Sequence, residues 1–199
     1  MSGYQLPGPL CRFLAALEID SGTLCRGRSG TPGPVSAIGT SPRNSQGTAK
    51  AAHAYVEHRG VVKDPLSNVD EPVILNAHLI PQCAELVKKL ASAPQTVPDR
   101  WQRGISLTAG TVVDLEIGTP IATGWDSRGF YPNNPTGQHS GIFAGSFKDK
   151  SGKVIGFTIV EQYSGLATIQ ARVVYFDPRA AGKKDTYFYR GGDYATIKW

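Results

Sequence analysis

Cysteine, histidine and methionine are scarce in this chain of 199 residues, which holds three, four and one of them respectively. The cysteines are Cys11, Cys25 and Cys83, so at least one thiol has no disulfide partner. There is no CxxC pair and no Cys/His cluster at metal-ligand spacing, so no metal site and no cofactor are expected. Cys11 and Cys25 can bridge in an oxidising compartment, which makes Cys83 the odd thiol. Long apolar runs are also missing, and with them any stable membrane insertion by a helix. Near the start, Leu10, Phe13, Leu14, Leu17 and Ile19 are interrupted by Arg12 and Glu18, with no preceding basic cluster, so no Sec-type export signal is expected. Charged residues amount to 19%, with a net charge of +5 and a pI near 9.2. That balance favours an anionic partner. Only Lys88-Lys89 and Lys183-Lys184 form lysine pairs, and no basic recognition helix or aromatic platform accompanies them, so nucleic acid is not the expected partner.

Residues 21–47 are dense in glycine, proline, serine and threonine, which marks 1–44 as an irregular leader ahead of a domain over 45–199. A helix is expected over 45–58, with Ala49, Ala52, Tyr55 and Val56 on one face and Gly60 as its stop. Residues 61–82 read as a surface loop that enters a second helix at Pro81. In that helix, 82–93, Cys83, Leu86, Val87 and Leu90 fall at i, i+3, i+4 and i+7, while Glu85, Lys88 and Lys89 face away. Short strands are expected over 111–117, 120–125, 140–147, 154–163, 169–176 and 186–190, separated by turn residues. Helices followed by a sheet of five or six antiparallel strands define an α+β class.

Three positions carry candidate chemistry. Cys83 lies in the first turn of its helix, where unpaired N–H groups and the helix dipole favour a thiolate and could hold an oxyanion, with Gln82 as a further donor. The alternative is a small buried hydrophobe on an apolar face. His139 opens a strand after the 124–138 loop and is either a base at a cleft mouth or an ordinary surface histidine. Glu161 stands in the apolar strand that follows, where a carboxylate is costly unless paired, and an imidazole is a natural partner. The alternative is a solvent-facing edge residue. Alternation places Phe157, Ile159, Glu161 and Tyr163 on one face, so Gln162 takes the orienting role if Glu161 points away. His53 and His58 lie about 140° apart around a helix and do not make a metal pair. His78 is too near Cys83 in sequence to serve without an unusual turn.

Taken together, Pro81-Gln82-Cys83-Ala84-Glu85-Leu86-Val87, His139-Ser140-Gly141-Ile142-Phe143 and Val160-Glu161-Gln162-Tyr163 resemble the papain-like cell-wall amidases of the NlpC and CHAP superfamily. Trp101-Gln102-Arg103-Gly104 and Gly118-Thr119-Pro120-Ile121-Ala122-Thr123 are most similar to the small type VI secretion amidase effectors. The resemblance covers roughly 81–190. It implies a papain-like fold, a peptidoglycan substrate and cleavage of a stem-peptide or crosslink amide through a thioester, with Cys83 as nucleophile, His139 as base and Glu161 as third member. Many CHAP domains carry asparagine two positions after that glutamate, where this chain has Tyr163. Gln162 or Gln82 is then an alternative third member or oxyanion donor, and Trp125, Tyr131 and Tyr163 are candidate substrate contacts. The resemblance also implies synthesis in the bacterial cytoplasm, delivery by a secretion apparatus, action in a target cell's periplasm, and a cognate immunity protein. The rival readings are a phage endolysin, a papain-like protease or isopeptidase acting on protein, and a non-enzymatic binding module.

Overall fold

The computed structural model describes residues 60–93, 98–132 and 134–199. The leader, the helix expected over 45–58, Cys11, Cys25, His53 and His58 lie outside them.

Helix α1, Cys83–Leu90, starts where Gln82 still has extended backbone and ends at Ala91. It stops short of the expected 93 because Ser92 turns into the left-handed region at φ 49°. Its buried residues are Ala84, Leu86 and Val87, the apolar face that the spacing anticipates.

Six strands follow: β1 Gln102–Ser106, β2 Pro120–Thr123, β3 His139–Lys148, β4 Val154–Glu161, β5 Gln170–Tyr175 and β6 Ala195–Lys198. They form one sheet in the order β1-β6-β2-β3-β4-β5, and every neighbouring pair is antiparallel. Side-chain alternation gives this sheet two buried faces. On one, Ala122, Ile142, Val160 and Ile197 pack with Ala84, Leu86 and Val87 of α1 and with Trp101 and Tyr131. On the other, Ile121, Phe143, Phe157, Ile159 and Val174 pack with Leu107, Val112 and Tyr194. The result is the expected α+β arrangement, with the Cys83 helix laid on a six-stranded antiparallel sheet.

Two expected strands are turns instead. Over 111–117 the chain makes a short helix, α2, Thr111–Asp114. Thr108 and Thr111 exchange bonds, backbone N–H to partner hydroxyl, at 2.8 and 3.1 Å, a local closure that outcompetes strand pairing for Val112 and Val113. Over 186–190 the N–H groups of Tyr189 and Arg190 both bond the Thr186 carbonyl at 2.9 Å, and Arg190 is tied to Asp185 and Asp193. Conversely, β1 and β6 were not anticipated. β1 is an edge strand with almost no buried side chain, and a Cβ on its Gly104 would come within 2.2 Å of the Thr196 hydroxyl on β6.

Candidate active site

The sheet register brings the candidate residues together. β3 begins at His139 and β4 ends at Glu161, and these strands pair with Ile142 opposite Val160. Continuing that register sets His139 and Glu161 as diagonal neighbours on one face, within reach of long side chains. His139 Nε2 lies 2.8 Å from Glu161 Oε2, with the two residues 3% and 1% exposed. Gly141 sits between them in sequence, and a Cβ there would come within 2.5 Å of the Val160 carbonyl oxygen, so glycine permits the close strand approach.

On the other side of Glu161, β5 places Gln170 opposite it and Arg172 opposite Ile159. Arg172 is thus a second diagonal neighbour. Its Nε donates to Glu161 Oε1 at 2.6 Å and its Nη2 to Oε2 at 2.8 Å. A buried carboxylate held by a forked guanidinium and an imidazole is a satisfied one.

Cys83 opens α1 with its Sγ 3.4 Å from the Tyr131 hydroxyl. Because Glu161 occupies Nε2 of His139, Nδ1 is the ring nitrogen left for the thiol. Burial pushes the Cys83 thiol up. The hydrogen bond and charge of His139 outweigh it, with hydrogen bonds from Tyr131 and Ser140 assisting, and bring the thiol from 9.0 down to about 6. Burial likewise pulls His139 down, but the Glu161 charge and the hydrogen bond to Cys83 raise it from 6.5 to about 9. For Glu161, burial pushes up while His139 and Arg172 bring the carboxyl from 4.5 down to about 2. Between about 6 and 9, then, the favoured state is thiolate beside imidazolium.

Gln162 points to the opposite face from Glu161. Its Oε1 accepts from Ile74 N at 2.8 Å, and its Nε2 donates to the carbonyls of Ile74 and Gln82 at 2.7 and 2.8 Å. Consecutive residues at the end of β4 therefore grip both halves of the site. Glu161 holds the imidazole, and Gln162 holds the backbone just ahead of Cys83. Gln82 itself is exposed, and its side chain makes no capping bond to α1.

The aromatic candidates have different surroundings. Tyr131 is 1% exposed and lies beneath the thiol, while Trp125 donates from Nε1 to Ala122 O at 3.0 Å and packs edge-on against Tyr131. Tyr163 is partly exposed with its ring centroid 6.0 Å from that of His139. His78 is exposed in the loop preceding α1. Sequence reasoning missed Ser140, Arg172 and Phe188. The Phe188 ring lies 4.8 Å from the His139 ring, and its carbonyl accepts from Arg172 Nη1 at 3.2 Å and the Tyr194 hydroxyl at 3.0 Å. Arg172, a charged residue ahead of Val173 and Val174, carried the same signal that singled out Glu161.

Cys83 opens a helix that packs on an antiparallel sheet, and His139 and Glu161 stand on adjacent strands of it, a layout consistent with a papain-like fold. No family model and no curated protein matches the chain. Among solved structures it is similar to type 6 secretion amidase effector 2 (Tae2), with a TM-score of 0.52 and 23% identity over 69% of this chain and 93% of that one. It is more loosely similar to the wild-type endolysin LysIME-EF1, with a TM-score of 0.36 and 17% identity over 67% of this chain and 60% of that one. The first likeness shows that the chain shares the fold of that amidase effector, and the second is too loose to add to it.

Proposed function

We propose that this protein is a cysteine amidase that cleaves an amide bond in the peptide stem or crosslink of peptidoglycan. The observation that carries the reading is the array of half-buried Cys83 with buried His139 and Glu161, with the His139 to Glu161 contact at 2.8 Å and a thiol brought down to about 6. The Cys83 thiolate adds to the amide carbon, and the carbonyl pair becomes an oxyanion. The first N–H groups of a helix have no intrahelical acceptor; with Glu85 N–H bonded to the Gln82 carbonyl at 3.1 Å, those of Cys83 and Ala84 at the start of α1 are the donor set for that oxyanion, with Gln82 adjacent. The imidazolium then gives its proton to the departing amine as the C–N bond breaks, leaving a thioester. His139, now neutral, takes a proton from water as its oxygen attacks the thioester, and the acid and the thiolate are released with the imidazolium restored. Glu161 fixes the ring tautomer and stabilises its charge throughout.

The wall as substrate is supported by the shared fold with an amidase effector and by the net charge of +5, which suits an anionic polymer. On this reading the protein is made in a bacterial cytoplasm, is delivered by a secretion apparatus to a target periplasm, and is restrained at home by an immunity protein. Expression in the two compartments of a Gram-negative host tests the substrate. Lysis on periplasmic but not cytoplasmic expression, abolished by Cys83→Ala, is the predicted result. Toxicity indifferent to compartment would replace the wall by a protein substrate.

A further inference from the structure

We infer that Arg172 is a positioning residue of this site, whose forked guanidinium holds Glu161 as a carboxylate against His139 and anchors the turn that lays Phe188 on the imidazole. The inference rests on the reading of Cys83, His139 and Glu161 as the catalytic group. Three strands supply its geometry, since β3, β4 and β5 set His139, Glu161 and Arg172 in a diagonal row on one sheet face. Arg172 engages both oxygens of Glu161, at 2.6 and 2.8 Å, and also the Phe188 carbonyl at 3.2 Å. Its guanidinium carbon lies 3.9 Å from the centroid of the Phe188 ring, so the ring that touches His139 also covers the arginine.

Charge balance supplies the reason for such a residue. With thiolate, imidazolium, carboxylate and guanidinium in line, the charges alternate and sum to zero. Without the guanidinium the same buried group carries one uncompensated negative charge, which is costly in a poorly solvated place. Protonating the thiolate relieves it with the smallest change, because the His139 and Glu161 pair is then neutral by itself. The groups around Glu161 are His139 from β3, Arg172 from β5, Tyr163 after β4 and Tyr194 ahead of β6, with Cys83 reaching it through His139. Arg172 is the one among them that remains cationic when His139 is neutral. It therefore keeps the thiolate available across the working range.

The test reads Cys83 directly, with wall hydrolysis as a second readout. The full chain is alkylated with iodoacetamide across a pH series, and Cys83 is followed by peptide mass analysis in the wild type, Arg172→Met and Arg172→Lys. Arg172→Met is predicted to raise the alkylation midpoint by about one pH unit or more, as loss of an adjacent charge does. Arg172→Lys keeps the charge, so its midpoint stays within about half a unit of wild type, while wall hydrolysis falls about tenfold because a lysine lacks the planar fork. An unmoved midpoint in Arg172→Met, or an equal rise in both variants, overturns the inference. If Arg172→Met does not fold, as judged by circular dichroism, the lysine variant decides, and a rise of about one unit there overturns it. A wild-type midpoint near that of a free thiol overturns the catalytic reading instead, so the two failures are distinct.

Discussion

Glu161→Gln keeps the shape of the third side chain and removes its charge. His139 stands at about 9 although its burial pulls it down, an excess of about 2.5 units over 6.5, or roughly 3 kcal/mol in favour of the imidazolium. The Glu161 charge heads the contributions that raise it. With glutamine in place, Arg172 becomes an unbalanced cation two positions along the neighbouring strand, and burial still favours the neutral ring. Burial and Arg172 both act downward against the Cys83 contact alone, so His139 in the variant is predicted to titrate at least about one unit below the wild type. Proton NMR of the imidazole ring protons measures this, with the His139 signal identified by its loss in His139→Gln. Hydrolysis at pH 7 falls by roughly 100-fold, since the ring loses both its orienting carboxylate and part of its charge. A wild-type His139 titrating near 6.5, or a midpoint unchanged by Glu161→Gln, would refute the reasoning.

Gln162→Leu removes three hydrogen bonds and strands the Ile74 N–H and carbonyl, while the Gln82 carbonyl keeps its bond from Glu85 N, so it should cost about 2 to 4 kcal/mol by denaturant unfolding; a loss under about 0.5 kcal/mol contradicts the grip on the α1 entry. Tyr131→Phe deletes a hydroxyl 3.4 Å from Sγ and should raise the Cys83 alkylation midpoint by about one unit without changing the fold, and no rise would return Tyr131 to plain packing. Glu161 is held at about 2 against 4.5, so its stabilisation is present above pH 4.5 and is lost as the pH falls toward 2. Thermal melts should therefore lose more between pH 5 and pH 3 for the wild type than for Glu161→Gln, and equal losses would contradict the pairing.

How far the sequence reached depended on whether local pattern or long-range pairing decided each element. The i, i+3, i+4, i+7 spacing around Cys83 reports a helix face directly, and the apolar runs that became β3, β4 and β5 carry their own strand signal. β1 carries none, because an edge strand such as Gln102–Ser106 buries almost nothing, and β6 is a short Ala195–Lys198 segment defined by its two neighbours. Residues 111–117 read as a strand by composition, yet the Thr108 and Thr111 exchange decides their turn. At the site, the cost of a charge on an apolar strand pointed to Glu161 and its partner His139. The same argument applied to Arg172 would have found the other half of the pair. Phe188 was beyond reach, because its place over His139 is set by carbonyl contacts from Arg172 on β5 and from the Tyr194 hydroxyl, which no local pattern reports.

The central claim is that Cys83 is the nucleophile of a wall amidase. Purified Gram-negative peptidoglycan is digested with the wild type and with Cys83→Ala, and the soluble fragments are analysed by mass. The account predicts new fragments with a freshly cleaved amide from the wild type alone, with activity rising as Cys83 ionises near pH 6 and falling as His139 loses its proton near pH 9. Fragments released equally by Cys83→Ala, or none from the wild type at a level where a known wall amidase is ample, would contradict it.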